Sequence, residues 1–440
     1  MSVAQVVDSM QDVLTTVADQ AARETKFVQR TSKLGGAQFV QTTVFGWWDD
    51  PQARLDQLAQ TATALGTPIT AQGLDQRFTP EAAACLKQVL EAAVQRVVTA
   101  DPVAIPLLQR FNGVYVQDST TITLPDALAA LWPGCGGSTA EGTQAALKVQ
   151  VQVNLTEGQL THLDLQAGRA SDKTAPMQTA ALPAGALRIA DLGYLSLPVW
   201  AAYDQQGVFW LSRYQSNLLM FTPDGQAVEV VALLQNYGAA ILDQPVLLSQ
   251  AHRLPCRFVA VRVPPAVAAA RRRKLKAESR AKGRTPSAKQ LALCDWMLLV
   301  TNVPAARLSV EELLVLARVR WQIELLFKLW KSHGQVDESR SGKPYRILCE
   351  VYAKLIAMVL QHWVLITSCW QYPNRSWFKA AQTIRQHVMR LACALHAPER
   401  VSEVLETIGR CLAKGARLNT RKAAPNTYQL LLAFATVTLD

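Results

Sequence analysis

The sequence has no CxxC pair among its eight cysteines and no histidine cluster near any of them. That absence excludes the usual structural zinc frameworks and argues for reduced, mostly buried thiols in a cytoplasmic protein. Nor is there a stretch of ~20 residues free of charge or strong polarity, as a membrane-spanning helix would need. The most apolar segment, Val351 to Trp370, carries Lys354, Gln361 and His362, as a buried helix would. Near the start, Asp8, Gln11 and Asp12 stand where a secretory signal would place its apolar core. Acidic residues are in deficit: 34 Asp and Glu face 45 Lys and Arg, a net charge of +11. A surplus of that size suits a polyanionic partner, nucleic acid before an anionic membrane. Half of the 440 residues are hydrophobic and 18% are charged, which excludes wholesale disorder. The length accommodates about two to four domains.

The chain changes period as it runs. Residues 1 to about 105 predict helices: Val6, Met10, Val13 and Val17 fall at helical spacing, and Thr79-Pro80-Glu81 reads as cap, first-turn proline and early acid. Leu55, Leu58, Ala62 and Leu65 form a short apolar stripe ending at Gly66-Thr67-Pro68. A second short helix from Thr70, carrying Gln72, Gln76 and Arg77, would complete a helix-turn-helix, although two packed helices give the same pattern. From about 110 the pattern predicts strands, at Val114–Val116, Leu147–Val153, Leu160–Leu165 and Leu187–Ala190. The loop Gly134-Cys135-Gly136-Gly137 lacks the lysine and Ser/Thr of a phosphate-cradling loop and is a connector. Strands are also expected at Val208–Leu211, Val228–Val231, Pro245–Leu248, Cys256–Val261 and Trp296–Thr301. Between the last two lies a basic run, Arg271, Arg272, Arg273, Lys274 and Lys276, extended by Arg280, Lys282 and Arg284. It is either a phosphate-contacting surface or a solvated helix face. From Val310 onward the chain is expected to be helical again.

Chemistry concentrates in three places. In Ala317–Lys331, a helix would bring Arg320, Glu324 and Lys331 within roughly 40° of one another on one face. Ile323, Leu326, Phe327 and Trp330 would fill a neighbouring apolar face. An acid between two cations is either a surface ladder or a metal-binding carboxylate with phosphate-holding cations beside it. Asp118 and Asp191 each close an apolar strand, where an aspartate can simply cap a turn. Taken with Glu324, however, they supply three carboxylates on a basic protein. Mg²⁺ takes oxygen ligands and keeps several waters, so a few carboxylates suffice for phosphoryl transfer.

These residues resemble the DDE transposases of bacterial insertion sequences, in the group with the signature Tyr-x2-Arg-x3-Glu-x6-Lys. Arg320, Glu324 and Lys331 keep that spacing, while Ala317 replaces the tyrosine. Asp118 in Gln117-Asp118-Ser119-Thr120 matches the first catalytic aspartate, Asp191 in Ala190-Asp191-Leu192-Gly193-Tyr194 the second, and Glu324 the third acid. The likeness covers roughly 110 to 365, including Lys148 and Lys354.

The resemblance implies an α/β chain: a ribonuclease-H-like core in 106–195 and 293–345, interrupted by a β-rich insertion at 196–292. A helical DNA-binding region (1–105) and a helical C-terminal region (346–440) for end contacts and dimerisation would flank it. It further implies that Asp118, Asp191 and Glu324 bind two Mg²⁺ ions, with Mn²⁺ able to substitute, to cut an element's ends and join the freed 3′-hydroxyl to target DNA. A hairpinned end would be the intermediate of a cut-and-paste reaction, and a dimer would pair two ends. Trp296 would capture a flipped base, and Arg320 and Lys331 would contact end phosphates. A nuclease on the same core without strand transfer, and a DNA-binding relative without activity, are the competing expectations.

Overall fold

The computed structural model describes residues 3–30, 33–135, 144–372, 374–419 and 427–433. Gly136 and Gly137 of the expected connector lie outside the described residues. Among the described residues ten strands form, in chain order: β1 (Val114–Leu124), β2 (Ala145–Asn154), β3 (Leu160–Ala167), β4 (Leu187–Ala190), β5 (Phe209–Arg213), β6 (Met220–Phe221), β7 (Ala227–Val228), β8 (Ile241–Leu248), β9 (Leu254–Arg262) and β10 (Trp296–Thr301). With the helices before, between and after them, the class is mixed α/β with a large sheet. The described residues divide into two compact units. Residues 3–109, 118–177 and 321–433 make the first, and 110–117 with 178–320 the second. This division runs across the segments expected from the sequence, and it passes through β1 between Gln117 and Asp118.

The first unit is built on one helix. Pro344–Cys369 is apolar on every side and buried along almost its whole length. By length and composition it could cross a membrane, but its apolar window is wholly covered by protein. Pro80–Gln95, Gly36–Asp49 and Pro398–Lys414 are the helices that cover it. The sequence signals for Pro80–Gln95 hold: the Thr79 side chain accepts the Ala82 amide at 3.3 Å, with Pro80 in the first turn. Gly158 turns the chain between β2 and β3 at φ +73°, and a Cβ there would meet Trp370 and Ile366 of the core at 2.6–2.7 Å. The strand order in this unit is β3-β2-β1, with β2 and β3 antiparallel.

The second unit carries the order β1-β4-β5-β10-β9-β8-β6-β7. The pairs β1/β4 and β4/β5 are parallel, and the remaining pairs are antiparallel. Trp200, Trp210, Phe258 and Val300 lie in its core, the two indoles stacked with centroids 4.3 Å apart.

Several expectations are corrected. Val228–Val231 is not a strand: β7 ends at Val228, Glu229 caps a helix Val230–Asn236 by accepting the Ala232 amide at 2.6 Å, and a local carboxylate cap thus overrides β-branched propensity. The helix after Thr70 is only Ala71–Asp75. Arg77 lies beyond it, its guanidinium 4.5 Å from the Phe27 ring centroid. Of the eight cysteines, expected to be mostly buried, only Cys85, Cys256, Cys349 and Cys369 are.

Candidate active site

Asp118 was expected to close its strand but lies within β1, which runs on to Leu124, whereas Asp191 directly follows β4. In the second unit, Val114, Tyr115, Val116 and Gln117 pair in parallel with Leu187, Arg188, Ile189 and Ala190. In each strand the residue after the last rung is an aspartate. Asp118 Oδ1 accepts the Ser119 amide at 2.8 Å. Asp191 stays extended, at φ −75° and ψ 167°, then accepts the Tyr194 amide on its carbonyl to close a single 3-10 turn. Both side chains are part-exposed.

On the first-unit half of β1, Asp118 is followed by a polar cluster. Ser119 Oγ, Lys148 Nζ and Gln150 Nε2 all donate to Asp172 Oδ1, at 3.1, 3.1 and 2.9 Å. Lys148 also donates to the Ala170 carbonyl at 2.6 Å. Lys148 is therefore neutralised by Asp172, a residue in a loop that no motif marks.

Glu324 belongs to the same unit, in the first turn of the helix Trp321–Ser332, where the positive end of the helix dipole favours an acid. The expected apolar face exists: Ile323, Leu326, Phe327 and Trp330 are buried, together with Leu329. In the last turn, Lys331 donates to the Thr121 carbonyl of β1 at 3.1 Å and pairs with Asp337 at 3.5 Å. The Glu324 helix is thus tied to the strand that carries Asp118. Lys354, wholly buried, pairs with Glu350 at 2.7 Å and donates to the carbonyls of Gln335 and Glu338, so the segment after the helix is clamped to the core. Arg320 is not inside a continuous helix. It ends Val310–Val319 with right-handed helical dihedrals and belongs to the second unit.

Trp296 opens β10 and is only 7% exposed, with the Arg262 guanidinium 4.9 Å from its ring centroid. It lines a cavity of about 360 Å³ with Arg262, Arg272, Leu234, Ala268 and Leu293. The basic run forms a helix, Pro265–Ala281. Arg271 donates to the Trp296 carbonyl at 2.9 Å and Arg272 pairs with Asp295, whereas Arg273 and Lys274 face solvent. Burial, then the neighbouring Arg213, pushes the Arg271 guanidinium below its ordinary value.

Among the described residues, no group of three or more His, Cys, Asp or Glu side chains stands gathered as a metal cluster. The donor chemistry of Asp118, Asp191 and Glu324 nonetheless fits a hard divalent ion: carboxylate oxygens only, with no thiol or imidazole among them.

Residues 109–360 match the model of the transposase DDE domain, more than half of the chain. The chain is 26% identical to the transposase of insertion sequence element IS231F from Bacillus thuringiensis subsp. israelensis, over 94% of this chain and 91% of that one. It is 24% identical to the transposase of IS1151 from Clostridium perfringens, over 80% and 78% of the two chains. A solved piggyBac transposase synaptic complex with hairpin DNA aligns with a TM-score of 0.47 and 7% identity, covering 94% of this chain and 84% of that one. With the domain match spanning β1, β4 and the Glu324 helix, and relatives matched over nearly their full length, the chain belongs to the DDE transposase family and is a bacterial insertion-sequence transposase, an enzyme acting on DNA.

Proposed function

We propose that Asp118, Asp191 and Glu324 are the catalytic acids of a metal-dependent strand cleavage and strand transfer at the ends of an insertion sequence, carried by a ribonuclease-H-like core. The observation that carries this reading is the β1/β4 ladder, whose two strands each continue into an aspartate. Alternation puts Asp118 on the same face of β1 as Val116, and Asp191 directly follows Ala190 of β4. The Lys331–Thr121 bond supports Glu324 as the third acid, because it holds that helix to β1.

Family members generally use divalent metal ions. Here the three carboxylates would hold two Mg²⁺ ions, which Mn²⁺ can replace. When bound, such ions neutralise the phosphate undergoing displacement and make the attacking hydroxyl more acidic. The chain's own groups do the rest. Arg320 and Lys331 contact phosphates near the cut, Lys331 exchanging its Asp337 partner for DNA. The Pro265–Ala281 helix contacts backbone through Arg271, Arg272, Arg273 and Lys274, led by the two that face solvent. Trp296 stacks a displaced base in its cavity, Arg262 yielding one face of the indole; base–aromatic stacking contributes ~1–3 kcal/mol. The substrates are double-stranded element ends and target DNA. A dimer pairs two ends through a hairpinned, cut-and-paste intermediate.

The test uses the purified full chain, end-containing DNA and Mg²⁺. The parent nicks and joins, while Asp118→Ala, Asp191→Ala and Glu324→Ala bind the same DNA but do not cut. Cutting without joined product would replace this reading with a nuclease, and binding without cutting by the parent would leave only a DNA-binding protein.

A further inference from the structure

The strand β4 is four residues long and apolar apart from one arginine, which the cleavage chemistry above does not use. Arg188 is 2% exposed. Its Nε donates to Gln117 Oε1 at 3.0 Å, and its Nη2 donates to Gln178 Oε1. Gln117 Nε2 also donates to Gln178 Oε1, at 3.2 Å, and Gln178 Nε2 donates to the Tyr194 carbonyl at 2.9 Å. Tyr203 completes the arrangement. Its hydroxyl donates to the Gln178 carbonyl at 3.1 Å, and its ring centroid lies 5.4 Å from the guanidinium. Gln117, Gln178 and Arg188 are all buried, so none has bulk water as a substitute partner.

A guanidinium in such a place is costly, and a core that needed only packing would carry an aliphatic side chain there. What the cation provides is a planar fork that fixes its acceptors in direction as well as distance. Those acceptors sit at informative points. Gln117 immediately precedes Asp118. Gln178, through the Tyr194 carbonyl, holds the turn that follows Asp191. Side chains alternate along a strand, so Arg188 and Gln117 share one face of the ladder, while Val116 and Ile189, and Asp118 two residues after Val116, belong to the other. Arg188 acts through backbone.

We propose that Arg188 is a positioning residue of the transposition reaction: through Gln117 it fixes the backbone that leads into Asp118, through Gln178 it holds the turn that follows Asp191, and so it presets each acid for metal binding. The inference rests on the assignment of Asp118 and Asp191 as metal-binding acids. Burial lowers the guanidinium to about 10, which leaves it charged at neutral pH and able to donate throughout the working range. Outer partners of metal ligands typically affect metal affinity or activity ~10–100-fold.

The test compares the full-length parent with Arg188→Met, which keeps side-chain bulk and removes the fork, and with Arg188→Lys, which keeps the charge but not the geometry. Mn²⁺ binding is read directly by electron paramagnetic resonance, alongside metal-free affinity for end DNA and the Mn²⁺ dependence of nicking. Expected for both variants is Mn²⁺ binding ~10–100-fold weaker, nicking that needs correspondingly more metal, and metal-free DNA affinity within about twofold of the parent. A purely structural role would lower thermal stability without moving the Mn²⁺ midpoint of the folded fraction, and that outcome overturns the proposal. Should Arg188→Met fail to fold, Gln178→Leu, which cuts the link to Tyr194, decides by the same midpoint. Asp118→Asn/Asp191→Asn separates the two ideas. If that double variant binds Mn²⁺ as the parent does, the assignment of the acids fails and this inference with it. If it loses Mn²⁺ while the Arg188 variants do not, only the role of Arg188 fails.

Discussion

His362 shows how far a single residue can be read. It sits in the middle of Pro344–Cys369, wholly buried, with its Nε2 2.7 Å from the Gly158 carbonyl. Burial lowers the imidazole to about 4, so the neutral ring donates to Gly158 at neutral pH. The folded value is below the unfolded one, so the unfolded chain takes up a proton between about pH 6.5 and 4 that the folded chain refuses. Stability from this group is therefore present at pH 7 and lost on acidification, by roughly 2 kcal/mol between pH 6.5 and 5. His362→Gln should shed that share: its denaturant midpoint should fall less than the parent's from pH 7 to pH 5. Equal falls would rule out a neutral, buried imidazole. At this scale the sequence was informative wherever chemistry is local. The burial of the segment around Lys354, Gln361 and His362 could be read, as could the cap at Thr79. Arg188 read only as part of the strand Leu187–Ala190, and its bond to Gln178 was not legible, because nine residues lie between them. Asp172 was illegible for the same reason: three donors converge on it from two strands that only the fold brings together.

Among the elements, the helix Pro265–Ala281 carries the chain's strongest run of one sign of charge. Its cations are not equivalent. Arg271 bonds the start of β10 and Arg272 pairs with Asp295, while Arg273, Lys274 and Lys276 are exposed. If the exposed three each meet a phosphate, replacing them with Gln should reduce the salt slope of DNA binding by ~0.9 per contact, about 2.7 in all. A slope that stays put would make this a solvated helix face. Elements were legible where one period dominates, as in the alternation of Leu147–Val153 or the apolar stripe of Trp321–Ser332. They were misread where a short β-branched run met a cap, at Glu229. The break at Arg320 was also invisible, since helical spacing runs through it unchanged and the residue itself keeps helical dihedrals.

For the whole molecule, the sequence showed helical ends around a strand-rich middle, and that pattern holds. It did not show that the two helical ends share one unit, because long-range packing leaves no periodic trace. The helix Pro344–Cys369 is the element on which that unit is assembled, buried along almost its whole length and packed most heavily on Pro80–Gln95, Gly36–Asp49 and Pro398–Lys414. A chain stopped at residue 343 should therefore expose the apolar faces of Gly36–Asp49 and Pro80–Gln95 and collect in the insoluble fraction. Soluble recovery of that fragment with a parental near-ultraviolet circular dichroism spectrum would contradict this account of the core.

The interleaving of the two units also orders their birth on the ribosome. Every described residue of the second has been translated once position 320 is reached, whereas the first still awaits its central helix. Asp191 can settle into its finished surroundings while Glu324 is only just being added to the chain. On the proposed assignment, the basic helix is translated before the third acid, so no cutting centre exists until the chain has passed Glu324 and the helix that carries it.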